Sequence, residues 1–376
     1  MAKFARRILR RKQAKDADKP QSDGPLLTKF AGLAHHTTRE ESKVRKLALV
    51  LFFGAVVATL ATIPVGATTP GANGQIAFTR YDPDTEESHI FMANPDGTHQ
   101  RELPLPFPAD NPIWSPDGSR ILVTPFRPDA SFRPASVNPD GSGFTLLEVP
   151  ELPTDVDMGC KAWSPDSATL LCQAIRFGGD TTLNGLYTIR AADGGGLTRL
   201  TTNPYPPSGD FGGGDIPGDY SPDGTQFVFT RVKPGGGPVP DRNQSGALFV
   251  ENADGTNLHQ ITPYGLAASH EERVATHWSP DGSEILFAGA RGTLFVVHPD
   301  GGGLRAIPLE TGGSHSIAFT PDWSPDGTRI IFSLVLQSTG QEDIYTARPD
   351  GTDIGQATDT PDFENFADWG THPVTP

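Results

Sequence analysis

One phrase constrains this chain more than any other feature: Trp-Ser-Pro-Asp-Gly, at Trp114–Gly118, Trp278–Gly282 and Trp323–Gly327. Two variants complete the set, Trp163–Ser167 with serine in place of glycine and Tyr220–Gly224 with tyrosine in place of tryptophan. A fixed phrase returning every 45 to 58 residues marks a repeat architecture. A second phrase alternates with it, at Asn94–Gly97, Asn138–Gly141, Ala192–Gly194, Ala253–Gly255, His298–Gly301 and Arg348–Gly351. Proline presets φ for the second turn position, aspartate hydrogen-bonds the backbone ahead of it, and glycine accepts the positive φ that ends the turn. Each phrase is therefore expected to close a β-hairpin, with Asp117, Asp166, Asp223, Asp281 and Asp326 as the turn aspartates of the first set.

The segments between turns read as strands. Arg120–Thr124, Gln226–Thr230, Glu284–Ala288 and Arg329–Ser333 follow the first turn; Gly185–Ile189, Ala247–Glu251, Thr293–Val297 and Asp343–Ala347 precede the second. They are β-branched and aromatic runs, too short and too often broken for helices. A third set follows the second turn, as in Leu258–Ile261, and a fourth ends at the tryptophan. That last strand holds Pro112 and Pro321, tolerable on an edge where a missing N–H costs no ladder bond.

Four antiparallel strands in about 50 residues make a propeller blade. Five units open with the full phrase. A sixth is split, with Gln75–Thr79 and His89–Met92 at the start and Phe366–Trp369 at the end. The expected fold is all-β, a six-bladed propeller over residues 73–372 whose N- and C-terminal strands pair to close the ring and remove exposed edges. Trp114, Trp163, Tyr220, Trp278, Trp323 and Trp369 are then wedges between blades. In the third unit, taking Ser164–Ala168 as the turn sets Trp163 opposite Thr169 and Cys160 opposite Cys172. Cross-strand neighbours permit a disulfide there, with two buried thiols as the alternative.

Charge divides the chain. Residues 1–46 carry 13 Lys/Arg against 5 Asp/Glu, and the remainder 17 against 40, a net of −23. A body so acidic repels phosphate backbones, which excludes nucleic acid as a partner. Residues 1–46 have few large apolar residues and read as a disordered basic cytoplasmic tail. Leu47–Val65 is apolar and uncharged, follows Arg45-Lys46, and ends in Val65-Gly66-Ala67. That pattern over residues 47–67 is either a transmembrane signal anchor or a signal segment cleaved after Ala67. Both place the body outside the cytoplasm, membrane-anchored in one case and secreted or periplasmic in the other.

The repeated Trp-Ser-Pro-Asp-Gly with its paired Asp-Gly turn resembles the TolB-type, WD-like propeller repeats of bacterial envelope proteins. The resemblance covers residues 73–372, without the α/β domain that precedes the TolB propeller. It implies fold and envelope location; activities differ widely on such rings. No Gly-x-Ser-x-Gly elbow is present, which argues against the peptidases that carry a propeller.

Both turn types share one rim, so the long, dissimilar connections share the other, where a protein or glycan partner is expected, bound by a monomer at the loop face and channel mouth. His270 and His315 each stand eight residues before their tryptophan. With Glu271 they form a candidate divalent-metal set, and the runner-up function is a metal-dependent, lyase-like carbohydrate enzyme at the channel mouth. Otherwise no cofactor is expected. Asp82–Glu87 lacks the glycine a calcium loop needs at its sixth position and reads as an acidic loop.

Overall fold

The computed structural model describes residues 71–128, 132–176, 182–202, 214–233, 246–269, 274–309, 316–336 and 338–374. The basic segment 1–46, the apolar segment 47–67 and the candidate metal residues His270, Glu271 and His315 lie outside the described residues.

Six four-stranded antiparallel sheets account for the strands among the described residues. Blade 1 contains β1 (Ile76–Asp82), β2 (Glu87–Ala93) and β3 (Arg101–Glu102); blade 2 contains β4 (Ala109–Trp114), β5 (Ile121–Pro125), β6 (Ala135–Val137) and β7 (Thr145–Leu146). Blade 3 contains β8 (Asp157–Trp163), β9 (Thr169–Ile175), β10 (Gly185–Arg190) and β11 (Thr198–Arg199). Blade 4 contains β12 (Gly214–Tyr220), β13 (Gln226–Val232), β14 (Gly246–Asn252) and β15 (His259–Gln260). Blade 5 contains β16 (Thr276–Trp278), β17 (Ile285–Ala288), β18 (Leu294–Val297) and β19 (Arg305–Ala306). Blade 6 contains β20 (Ser316–Trp323), β21 (Ile330–Leu336), β22 (Glu342–Ala347) and β23 (Gly355–Gln356). Finally β24 (Phe363–Trp369) returns to pair antiparallel with β1, Ile76 opposite Trp369, and becomes the inner strand of blade 1. The ring is closed by its two ends.

The turn phrase works as a small hydrogen-bonded unit. In blade 2, Ser115 Oγ donates to Asp117 Oδ1 (2.6 Å) and accepts the Arg120 N–H (2.9 Å). The Ser119 N–H donates to the same carboxylate oxygen (3.0 Å), and Gly118 completes the turn at φ +67°. Ser164–Asp166, Ser221–Asp223, Ser279–Asp281 and Ser324–Asp326 repeat the hydroxyl-to-carboxylate bond. Ser167 holds the left-handed position without being glycine, at φ +59°. Its hydroxyl accepts the Asp117 N–H of the neighbouring blade (3.3 Å), a bond that glycine lacks.

The aromatic phrase residues stand between blades. Trp163 packs with Leu122 of blade 2 and donates its Nε1–H to the Ile113 carbonyl there (3.2 Å). Trp278 clusters with Val228 and Leu248 of blade 4, and Tyr220 with Leu171 and Leu186 of blade 3. Trp369 meets Ile331 and Ile344 of blade 6. Removing one such wedge costs about 3–5 kcal/mol by analogy with other buried aromatics.

Inner strands bend at bulges. The pairing register shifts between Asp110 and Ile113, Cys160 and Ala162, Pro217 and Tyr220, and Phe319 and Asp322. In blade 3 this corrects the sequence-based register. Trp163 faces Leu170 rather than Thr169, and the extra residue Lys161 then restores Cys160 opposite Cys172. The two sulfurs are bonded, with the Cα atoms 3.8 Å apart. Pro112, Pro217 and Pro321 lie on inner strands, where one side of the strand faces the channel and makes no ladder bonds.

Candidate functional site in the central channel

An inner strand is an edge strand, so half its backbone N–H groups point into the channel without a sheet partner. The residue immediately before each tryptophan or tyrosine decides how that need is met. Through the six blades it is Asp368, Ile113, Ala162, Asp219, His277 and Asp322. Asp219 accepts the N–H of Tyr220 in its own blade (2.8 Å) and that of Trp278 in the next (3.1 Å). Asp322 does the same for Trp323 (2.7 Å) and Trp369 (3.3 Å). Asp368 accepts from Trp114 of blade 2 (2.7 Å). Three carboxyl groups thus bridge three seams by capping edge N–H groups.

These groups form a narrow waist. His277 Nδ1 lies 3.3 Å from Asp322 Oδ1, and the Lys161 ammonium reaches across to the Val274 carbonyl (3.2 Å). Burial pushes the Asp219 carboxyl up to about 6, against the pull of His277 and of its two N–H donors. Asp368 is raised well above the ordinary carboxylate range, first by burial and then by the charge of Asp322. On the turn side the waist is bordered by Trp114, Trp163 and Trp369. On the loop side it is bordered by Asn111, Pro217, Thr320 and Phe366.

Of the repeat residues named from sequence, the aspartates Asp117, Asp166, Asp223, Asp281 and Asp326 sit in the turn units, whereas the aromatic residues wedge between blades and, at Trp114, Tyr220, Trp278, Trp323 and Trp369, give their backbone N–H groups to the waist carboxyls. Among the described residues no group of three His, Cys, Asp or Glu is disposed to hold a metal ion. Asp82 closes the β1–β2 hairpin, accepting the N–H of Asp84 (2.7 Å) and the hydroxyl of Thr85 (2.7 Å). The channel carboxyls escaped the sequence-based reading, although aligning the six phrases on their aromatic residue puts aspartate one position earlier in three of them.

No protein-family model matches the chain, and no curated protein matches it by sequence. Solved structures do match. TolB from Acinetobacter baumannii superposes with a TM-score of 0.57 at 17% identity, over 79% of this chain and 66% of that one. A putative TolB from Agrobacterium tumefaciens gives 0.50 at 17% identity, over 78% and 91%. Hydrazine synthase from Kuenenia stuttgartiensis gives 0.56 at 14%, over 81% of this chain and 48% of that one. The chain spans just under two thirds of the Acinetobacter protein. Likeness at these identities is likeness of fold.

Proposed function

We propose, from the premise that this chain is a TolB-like six-bladed β-propeller, that it is an exported, non-catalytic binding or scaffold protein that engages a protein or glycan partner at its loop rim and the adjoining channel mouth. The observation that carries this is the contrast between the two rims. On the turn rim, the aspartates, hydroxyls and backbone N–H groups hydrogen-bond one another in nearly identical units, as at Asp117, Asp223 and Asp281. The loop-rim connections differ from blade to blade, and dissimilar loops on a rigid scaffold are where binding surfaces are found. An exposed cation is held there too, with Lys233 Nζ 3.6 Å from the centre of the Tyr264 ring.

The export segment at residues 47–67 and the metal set His270, His315 and Glu271 belong to this proposal as sequence readings. The test is a cross-linking pull-down from intact cells with Lys233→Glu on the loop rim and Arg348→Glu on the turn rim. Loss of the cross-linked partner with the first change and retention with the second is the expected result. The reverse outcome overturns the assignment of the rim. Elemental analysis separates the enzyme reading, since a stoichiometric metal lost on His270→Ala or His315→Ala favours the lyase-type alternative.

A further inference from the structure

We infer that the loop-side mouth of the channel is a glycan-binding subsite, in which the Phe366 ring stacks against the face of a neutral sugar and the Asn111 carboxamide holds its hydroxyl groups. This glycan site rests on the loop-rim reading proposed above and narrows its partner from protein or glycan to glycan.

Backbone strain marks the place. Eight non-glycine residues among those described have positive φ. Five of them, Glu86, His99, Ser167, Asn257 and Asp353, lie in connections between strands, where a left-handed residue closes a turn. The other three lie inside inner strands: Asn111 (φ +55°) in β4, Thr320 (φ +45°) in β20 and Phe366 (φ +52°) in β24. Each stands three residues before the aromatic wedge of its blade, where the pairing register of its strand shifts, and blades 6, 1 and 2 are consecutive. All three residues border the loop-side mouth. Asparagine tolerates this conformation, but a β-branched threonine and an aromatic residue adopt it only at a steric cost.

Local contacts fix these bulges. Thr79 Oγ1 accepts the Asn111 N–H (3.0 Å), Thr320 Oγ1 and Ser333 Oγ share a hydrogen bond (2.8 Å), and Asn365, next to Phe366, donates from Nδ2 to Glu342 Oε1 (2.9 Å). Strain over-determined in this way is found where a side chain must be aimed. Thr320 is buried and its hydroxyl is used inside the fold. Phe366 is only half-buried, belongs to none of the apolar clusters of the described core, and makes no ring or cation contact among the described residues. The fold thus holds an aromatic residue in an unfavourable conformation without packing it. On the next blade, the Asn111 carboxamide has no hydrogen-bond partner among the described residues.

The groups around Phe366 select a sugar over an apolar side chain. Lys161, His277 and Asp368 border the same mouth with hydrogen-bonding tips, while the apolar Val274 and Pro217 there are buried. One aromatic face ringed by amide, imidazole, ammonium and carboxyl groups matches a sugar, whose C–H face is apolar and whose rim carries hydroxyls. An apolar side chain would cover those polar groups without pairing them. The acidic body repels anionic glycans, which leaves neutral ones.

The full chain applied to an array of neutral and acidic oligosaccharides tests this. Neutral oligosaccharides should retain the wild type, and Phe366→Gly should weaken that binding at least about tenfold. Asn111→Ala should weaken it as well. Phe366→Gly should denature in urea at a midpoint no lower than that of Phe366→Ala, because glycine relieves the left-handed strain that alanine keeps, which separates a lost platform from a damaged fold. Retention by no neutral oligosaccharide, retention by acidic ones only, or binding indifferent to Phe366→Gly would overturn the proposal. In the cross-linking pull-down, a polypeptide partner lost with both Lys233→Glu and Phe366→Gly overturns the glycan site and leaves the rim reading standing; a partner indifferent to both changes overturns both.

Discussion

Replacing Asp219 by alanine probes the channel most sharply, because two opposing terms have different pH dependence. The substitution strands the N–H groups of Tyr220 and Trp278, which Asp219 accepts at 2.8 and 3.1 Å. Leaving a buried donor without an acceptor costs about 1–3 kcal/mol, so the pair costs about 2–6 kcal/mol. Against this, the wild-type carboxyl is buried and pushed up to about 6 from 3.8. Its raised value means that the folded protein binds the proton more tightly, so this contribution is complete below about pH 4 and is lost as pH rises to about 6. Two pH units of displacement correspond to about 3 kcal/mol. The stability gap between wild type and Asp219→Ala should therefore shrink by about that amount between pH 4 and pH 7. Urea denaturation midpoints of both proteins across this range measure it, and the turn aspartates cancel because both proteins keep them. A gap that stays constant, or widens with pH, refutes the reasoning.

Other expectations follow from single contacts. Gly370→Ala places a Cβ 2.5 Å from the Trp114 ring, an overpacking that should cost about 1–3 kcal/mol and lower the melting temperature. Ser167→Gly relieves a left-handed serine, worth about 1–2 kcal/mol, but deletes the bond from the Asp117 N–H, worth about 1 kcal/mol. The net change should lie within about 1 kcal/mol of zero in denaturant titration, whereas Gly118→Ser in blade 2 should be destabilising. Reducing Cys160–Cys172 reopens a link with a sequence separation of 12, which chain entropy values at up to about 3 kcal/mol. Because the hairpin already confines that loop, a midpoint shift smaller than this is expected from the Cys160→Ser, Cys172→Ser pair.

The architecture was legible because it is built from local chemistry repeated many times. Each turn phrase encodes its own hairpin, and the split sixth unit encodes the pairing of β24 with β1. What local chemistry does not encode is the bulge. Counting outward from the Ser164 turn places Trp163 opposite Thr169, but the inner strand gains a residue at Lys161 and shifts that pairing to Leu170. The channel carboxyls were hidden for a related reason. Asp219, Asp322 and Asp368 each stand next to an aromatic residue whose regularity draws the eye, and their role depends on the neighbouring blade's N–H, far away in sequence.

The central claim, that partners are engaged on the loop rim, is tested most directly by a photo-crosslinking residue placed at either end of one blade. Ser338, in the exposed hairpin between β21 and β22, lies on the loop rim, and Arg348, just after β22, lies on the turn rim. Irradiation of intact cells should give a discrete adduct from position 338 and none from position 348. An adduct from position 348 with none from position 338 would contradict the account.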